Sequence, residues 1–180
     1  MIGLILIIFS LNSCASIGTR IIQNDYNKDH KPNIEKIYLV KPDLINIDFY
    51  KQSSTDFYFD ELDRILKKYN IESIKMDASI LNFDSVRYDK DLNIQNVSNT
   101  DYILVGRITR IVVMGRTRDF KIEYKLIDPN DNNTKYYSKY STTFGKTYVM
   151  VPGVGLPSEE QLMRDAIKSG IHSFEKKLLK

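Results

Sequence analysis

The chain has little of the residues on which many small catalytic or disulfide-bonded proteins depend. It contains one cysteine, Cys14, among its 180 residues, so it cannot form an internal disulfide. Its two histidines, His30 and His172, are far apart in the sequence and do not have the spacing of metal ligands. We therefore expect neither a metal site built on these residues nor a Cys-His nucleophile.

Motifs of phosphate-binding and hydrolytic enzymes are also missing. The glycines of residues 145–155 are not followed by Gly-Lys-Ser/Thr before a helix, and the pattern Gly-x-Ser-x-Gly does not occur. Two pairs of adjacent acids fall in predicted helices, where the helix dipole accounts for them. These pairs are Asp60 with Glu61 and Glu159 with Glu160. The sequence predicts a protein that is not an enzyme and has no cofactor.

Charge of one sign is not concentrated in any long stretch. The chain has 26 basic and 23 acidic residues, which are interleaved and give a net charge of +3. A nucleic-acid interface would cluster Lys and Arg on one face, so no nucleic-acid partner is expected. The length and the 42% of hydrophobic residues are typical of one globular domain.

Long apolar runs are absent apart from one at the N-terminus. Residues 1–11 are uncharged and apolar-rich, and they lead into Leu11-Asn12-Ser13-Cys14. A membrane-spanning helix needs about 20 such residues, whereas the apolar region of a secretory signal has 7–15. The sequence therefore predicts export.

The Leu11–Cys14 tetrapeptide resembles the lipobox of bacterial lipoproteins. This resemblance implies cleavage before Cys14, with residues 1–13 as the signal peptide, and a diacylglycerol plus an N-acyl chain on that cysteine. Ala15 follows in place of the aspartate associated with inner-membrane retention. The resemblance thus implies an outer-membrane anchor, with the domain facing the periplasm.

The residues after the cysteine are mostly polar. We predict a flexible tether over residues 14–33 and a single domain over residues 34–180. Residues 34–40 are predicted to form a central strand. Ser53, with Asp56 three residues later, is predicted to cap a helix that ends at Asn70. A strand over residues 71–76 would then pair in parallel with the first.

The second half of the domain predicts an antiparallel meander and a final helix. Strands are indicated from Tyr102 to Val113, from Phe120 to Leu126 and from Lys135 to Phe144, whereas residues 77–100 are not assigned. Ser158 with Gln161 forms a capping box for the helix, and Gly170 allows its close approach to a sheet. The predicted fold is an α/β (α+β) two-layer sandwich. It has a mixed sheet of four or five strands and two main helices on one face.

Residues 101–108, 121–129 and 136–138 together resemble a pattern of several envelope lipoproteins. In those proteins a strand ending in glycine, here Gly106, is followed by a hairpin that turns at a Leu-x-Asp-Pro corner, here Leu126–Pro129. They include the lipopolysaccharide-assembly lipoprotein, the curli-secretion lipoprotein and the N-terminal domain of the Tol-system periplasmic protein. The resemblance implies a small α/β interaction domain.

Two stretches are candidate functional surfaces. A candidate anion patch surrounds the predicted turn at residues 114–115, with a solvated hairpin as the alternative. It comprises Arg107, Arg110, Arg116 and Arg118. A candidate contact for a partner or for acyl chains lies in the apolar loop 148–157, with a lid over the sheet as the alternative. Its residues are Tyr148, Val149, Met150, Val151, Val154 and Leu156.

These observations predict a membrane-anchored envelope lipoprotein that acts as a non-catalytic interaction or assembly subunit in secretion, transport or outer-membrane assembly. Its partners would be the membrane, through the lipid anchor, and another envelope protein, and a homo-oligomer is left open. A lipid- or glycan-binding periplasmic carrier is the alternative, and a hydrolase is the third hypothesis.

Overall fold

The structure is a computed structural model. It describes residues 17–26, 32–48, 50–76, 83–84, 98–113, 116–131, 133–144 and 158–180. Cys14 and the apolar loop 148–157 lie outside the described residues.

The described residues form one mixed sheet and two helices that pack on one of its faces. The strands are β1 (Ile17–Tyr26), β2 (Lys36–Val40), β3 (Asp43–Ile45), β4 (Glu72–Met76), β5 (Asp101–Val113), β6 (Arg116–Ile127) and β7 (Thr134–Phe144). The helices are α1 (Lys51–Lys68) and α2 (Glu159–Phe174), and a π-helical turn, Glu175–Leu179, follows α2. The predicted fold class is confirmed.

The order of the strands is β1-β7-β6-β5-β2-β4, and β3 pairs with β5 beyond the end of β2. Strand β2 pairs in parallel with both β4 and β5, as the strand-helix-strand pattern predicted for β2 and β4. Strands β5, β6 and β7 form the predicted antiparallel meander. In the described residues the sheet has seven strands, more than the four or five expected, because β1 and β3 join it.

Strand β1 corrects the prediction of a flexible tether for residues 17–26. This segment pairs antiparallel with β7 over nearly its whole length, from Ile17 opposite Phe144 to Tyr26 opposite Tyr136. Its polar composition indicated a loop, but backbone pairing does not require apolar side chains. The unpaired N–H and C=O groups of β7 supply the partners that the local sequence does not reveal.

The predicted N-cap of α1 is also wrong. The helix begins at Lys51 with Tyr50 at the N-cap position, and Ser53 lies inside it. The hydroxyls of Ser53 and Ser54 donate to the carbonyl oxygen of Tyr50 instead of accepting from backbone N–H groups. The C-terminal end agrees better, since Asn70 has a φ of 57° in the left-handed region that commonly ends helices.

The prediction for α2 is confirmed at both of its distinctive residues. The backbone N–H of Gln161 donates to Oγ of Ser158 at 3.2 Å, so Ser158 is the N-cap. A Cβ atom at Gly170 would lie 3.0 Å from Cε2 of Tyr124 on the sheet. The helix thus approaches β6 as closely as a glycine permits.

The main core lies between the helices and the sheet and contains five buried tyrosines. Tyr58 of α1 stacks on Tyr124 of β6, with ring centroids 6.1 Å apart and an angle of 11° between the rings. The hydroxyls of Tyr136 and Tyr140 on β7 lie 3.1 Å apart, within hydrogen-bond distance. A Cβ atom at Gly106 would lie 2.8 Å from Cζ of Tyr58, so this position in β5 has no room for a side chain.

A candidate binding cleft on the sheet face opposite the helices

The other face of the sheet, which we call the open face, carries a second and smaller core. In the described part of the chain no helix covers it. Its buried apolar residues come from β2, β5, β6 and the segment between β4 and β5, and are Tyr38, Val40, Phe83, Ile103, Val105 and Ile127. Strand alternation produces this division, because successive side chains of β5 point to opposite faces.

Phe83 is fixed on the open face by two basic side chains. The guanidinium carbon of Arg107 lies 4.6 Å from the centroid of its ring, and Nζ of Lys125 lies 4.5 Å from it. Nζ of Lys125 also donates to the carbonyl oxygen of Phe83 at 2.7 Å. Burial lowers the pKa of Lys125, and each cation-π contact contributes about 0.5–2 kcal/mol.

Arg107 is held between two carboxylates. Its guanidinium donates to both carboxylate oxygens of Asp84, at 3.1 and 2.8 Å, and to Asp43 at 3.0 Å. The hydrogen bonds from Arg107 lower the pKa of Asp84. A bidentate Arg-carboxylate pair fixes the orientation of both groups. Phe83 and Asp84 are therefore held to the sheet by the hydrogen bond to the Phe83 carbonyl, the cation-π contacts of its ring and the ion pair of Asp84.

The register places residues of alternating charge side by side across the sheet. Asp43 of β3 is opposite Arg107, Arg107 is opposite Glu123 of β6, and Glu123 is opposite Lys139 of β7. Glu123 accepts a hydrogen bond from the Tyr137 hydroxyl at 2.8 Å and lies 3.7 Å from Nζ of Lys139. Unlike charges on neighbouring strands stabilise the pairing.

A cleft of about 430 Å³ opens beside these residues. It is lined by Phe83, Asp84, Glu123, Lys125, Thr134 and Tyr137. The volume is in the range of ligand-binding pockets, and the lining offers carboxylates, an ammonium group, a hydroxyl and an aromatic ring. Such a lining suits a polar ligand that can both donate and accept hydrogen bonds, and it would leave polar groups unpaired against an acyl chain.

The structure does not bring the arginines of the predicted anion patch together on one surface. Arg107 faces the open side, whereas Arg110 donates to Glu159 of α2 at 2.8 Å on the helix side. This separation agrees with the alternation of β5, in which residues three apart face opposite ways. Arg116 and Arg118 are the first and third residues of β6.

Sequence analysis did not find the cleft. The alternation of Lys121, Glu123 and Lys125 with apolar residues indicated one solvated face, but it did not show that this face would meet another segment of the chain. Phe83 and Asp84 belong to the stretch left unassigned. The sequence of this stretch offers only an aromatic residue followed by an acid, Phe83 and Asp84, among mostly polar residues. This pattern is too common to identify a site.

Two further searches of the described residues gave negative results. No cluster of three or more His, Cys, Asp or Glu side chains has the geometry to hold a metal ion there. Neither of the described helices combines the length and apolar character needed to span a lipid bilayer.

Comparison with known proteins gives similarity of structure only. No family model and no curated protein matches the chain. Among solved structures, the PelC dodecamer from Paraburkholderia phytofirmans has 12% sequence identity and a TM-score of 0.46, with 91% of this chain and 97% of that chain covered.

Two other solved structures are similar at the same level. Lipoprotein GNA1162 from Neisseria meningitidis has 13% identity and a TM-score of 0.48, covering 78% of this chain and 98% of that chain. Protein XCC0632 from Xanthomonas campestris has 9% identity and a TM-score of 0.46, covering 82% and 87%. Bacterial lipoproteins are thus among the proteins of similar structure. Because all three TM-scores are below 0.5, we transfer neither activity nor partner from them.

Proposed function

We propose that this chain is a bacterial envelope lipoprotein, acylated on Cys14, whose α/β domain is a non-catalytic interaction or assembly subunit. The observation that carries the proposal is the position of the only cysteine. Cys14 comes three residues after Leu11, the end of an apolar run of signal-peptide length, and three residues before the first residue of β1. An anchor at this point would hold the domain at the outer membrane, facing the periplasm.

The chemistry of the open face supports recognition over catalysis. Arg107 forms hydrogen-bonded ion pairs with Asp84 and Asp43. Glu123 accepts a hydrogen bond from the Tyr137 hydroxyl and lies 3.7 Å from Nζ of Lys139. A general base works best with a pKa near the operating pH. Ion pairing lowers the pKa of a carboxylate away from that pH, as the hydrogen bond from Arg107 does for Asp84. The role we favour is therefore to present a surface in secretion, transport or outer-membrane assembly, as in the lipopolysaccharide-assembly, curli-secretion and Tol proteins.

Mass spectrometry of the full-length gene product, expressed in a bacterium and extracted from its membranes, tests the anchor. We expect an N-terminal peptide that begins at Cys14 and carries a diacylglycerol and an N-linked acyl chain. Cys14→Ser should move the protein to the soluble fraction, whereas Ser13→Thr, a matched change one residue earlier, should leave it on the membrane. An unmodified N-terminus at Met1 would refute the proposal.

Photo-cross-linking in intact cells tests the interaction role. A photoreactive residue at Met150, Tyr148 or Thr134 should capture a defined envelope protein, and one at the solvent-facing Lys67 of α1 should not. Capture of lipid alone would instead favour the carrier hypothesis. Capture of neither protein nor lipid would contradict both.

The cleft on the open face favours a polar-ligand carrier as the second candidate, with glycans as the matching class among the alternatives. Its test is native mass spectrometry of protein purified from envelopes. A carrier should retain a small ligand that is lost in Glu123→Gln and kept in Asp56→Asn, a change at an exposed position of α1. If the original protein and both variants retained the same ligand, or none, this would exclude a retained ligand in this cleft.

A further inference from the structure

The start of β1 lies at one end of the sheet, which we call the anchor end. At this end β1 begins at Ile17 and β6 begins at Arg116, while β5 ends at Val113 and β7 ends at Phe144. Only two residues separate Cys14 from Ile17. An extended chain covers at most about 3.6 Å per residue, so the Cα atom of Cys14 can lie at most roughly 11 Å from that of Ile17.

The β5–β6 hairpin projects from the same end of the sheet. Gly18, Thr143, Asp119 and Ile111 are aligned in one row across β1, β7, β6 and β5. The hairpin continues past this row to Arg116, three residues or about 10 Å further along the strand. Cys14 can reach at most about 14 Å past the same row, so the described end of the hairpin lies within the distance that the acylated residue can span.

Among the side chains that the structure describes, the exposed large apolar ones lie at this end. In the described part of the chain three large hydrophobic residues are exposed, and all three are here. Val112 is 42% exposed and precedes the end of β5, Ile45 is 37% exposed at the end of β3, and Tyr50 is 36% exposed at the start of α1. Water-exposed apolar groups next to a lipid anchor are stabilised by insertion into the interfacial region, where tyrosine is also favoured.

The two turns that flank β6 differ in charge. Residues 116–121, which begin β6, contain three basic residues and one acidic residue. The turn at the opposite end, residues 128–133, contains Asp128 and Asp131 and no basic residue. Arginine binds phosphate oxygens through its planar array of donors, and an anionic membrane attracts basic residues near its surface.

We infer that the anchor end is a membrane-contact surface, in which Val112, Ile45 and Tyr50 enter the headgroup region and the basic hairpin binds phosphate groups of anionic phospholipids. This inference rests on the proposed acylation of Cys14, because the short connection is what holds this end against the bilayer. The domain then stands upright on the membrane. The opposite end of the sheet lies about 40 Å away, since β5 has 13 residues.

Depth-dependent fluorescence quenching tests the orientation in the lipidated, full-length protein. Acylation converts the Cys14 thiol to a thioether, so one introduced cysteine is the only free thiol that a fluorophore can label. The labelled variants are Val112→Cys and Tyr50→Cys at the anchor end and Asn130→Cys in the turn at the opposite end. Each is reconstituted in vesicles of phosphatidylethanolamine and phosphatidylglycerol, with and without nitroxide-labelled lipid.

We expect the nitroxide lipid to quench the labels at residues 112 and 50 at least threefold more than the label at residue 130. Replacing phosphatidylglycerol by phosphatidylcholine, or introducing Arg116→Glu with Arg118→Glu, should reduce quenching at residue 112. The charge-matched pair Lys67→Glu with Lys176→Glu should not. Unchanged quenching in both tests would overturn the phosphate part of the inference.

Equal quenching at the three positions, in samples whose acylated Cys14 is verified by mass spectrometry, would overturn the contact surface and leave the proposed anchor intact. Absence of the acyl chains in those same samples would instead overturn the anchor.

Discussion

At the scale of single residues, the main core contains buried tyrosine hydroxyls that do not contribute hydrogen bonds to its stability. The hydroxyls of Tyr58 and Tyr124 are buried and have no hydrogen-bond partner in the described part of the chain. Burial raises the pKa of both groups, so they remain neutral at any physiological pH. The rings fill the space between α1, α2 and β6, whereas an unpaired buried hydroxyl is destabilising.

The pair of variants Tyr58→Phe and Tyr140→Phe tests this difference. Tyr58→Phe keeps the ring and removes an unpaired hydroxyl, so we expect the free energy of unfolding to stay the same or to rise by about 1 kcal/mol. Tyr140→Phe removes one partner of the hydroxyl pair with Tyr136 and should lower it by about 1 kcal/mol. Urea unfolding followed by circular dichroism measures both changes. A loss in Tyr58→Phe equal to that in Tyr140→Phe would show that the Tyr58 hydroxyl is bonded.

At the scale of the elements, the two helices differ in how their N-termini are stabilised. Ser158 caps α2 with its side chain, whereas Ser53, which has the same sequence signature, lies within α1. Sequence patterns of three or four residues do not distinguish these cases, because a serine hydroxyl can accept from a backbone N–H or donate to a carbonyl oxygen of the previous turn. The backbone conformation of the preceding residues decides between them.

Alanine at each serine separates a cap from an interior position. Ser158→Ala should reduce the free energy of unfolding by about 1 kcal/mol, because the N–H of Gln161 loses its acceptor. Ser53→Ala should change it by less than about 0.5 kcal/mol in either direction, since alanine is a good residue for a helix interior. Thermal and urea denaturation of the two variants provide the comparison. If both variants lost the same stability, Ser53 would have to be a cap after all.

At the scale of the whole molecule, one carboxylate joins the ends of the two helices. Glu175, in the π-helical turn after α2, accepts hydrogen bonds from Nζ of Lys68 at 2.6 Å and from the hydroxyl of Tyr69 at 2.9 Å. The hydrogen bond from Lys68 is the main cause that lowers the pKa of Glu175 to about 2. The contact therefore links the C-terminus of the chain to the end of α1.

This lowered pKa predicts a specific dependence of stability on pH. The carboxylate is favoured in the folded state, so its contribution is fully present above the ordinary pKa of about 4.5 and is lost as the pH falls towards 2. Glu175→Gln should thus be less stable than the original protein at pH 7, and the difference should shrink steadily between pH 5 and pH 2. Asp56→Asn, at an exposed position of α1, is the control. A difference that stays constant across this range would contradict the ion pair.

Much of the architecture was accessible from the sequence because it follows from local periodicity. The alternation of β6, the apolar stripe and cap of α2 and the parallel pairing of β2 with β4 all depend on residues close together in the chain. Strand β1 was missed because its partner, β7, lies more than 100 residues later. The candidate cleft was missed for the same reason, since Phe83 and Asp84 meet Arg107 and Lys125 only through tertiary contacts.

The sequence by itself determined the fold class and the cysteine at which we propose the anchor, since these depend on periodicity and a contiguous motif. Only the tertiary structure decided which charged residues share a face and which end of the sheet lies beside that cysteine. The physical reason is that strand pairing and register bring distant residues together, and the free energy of such pairings depends on backbone partners and on both strands at once.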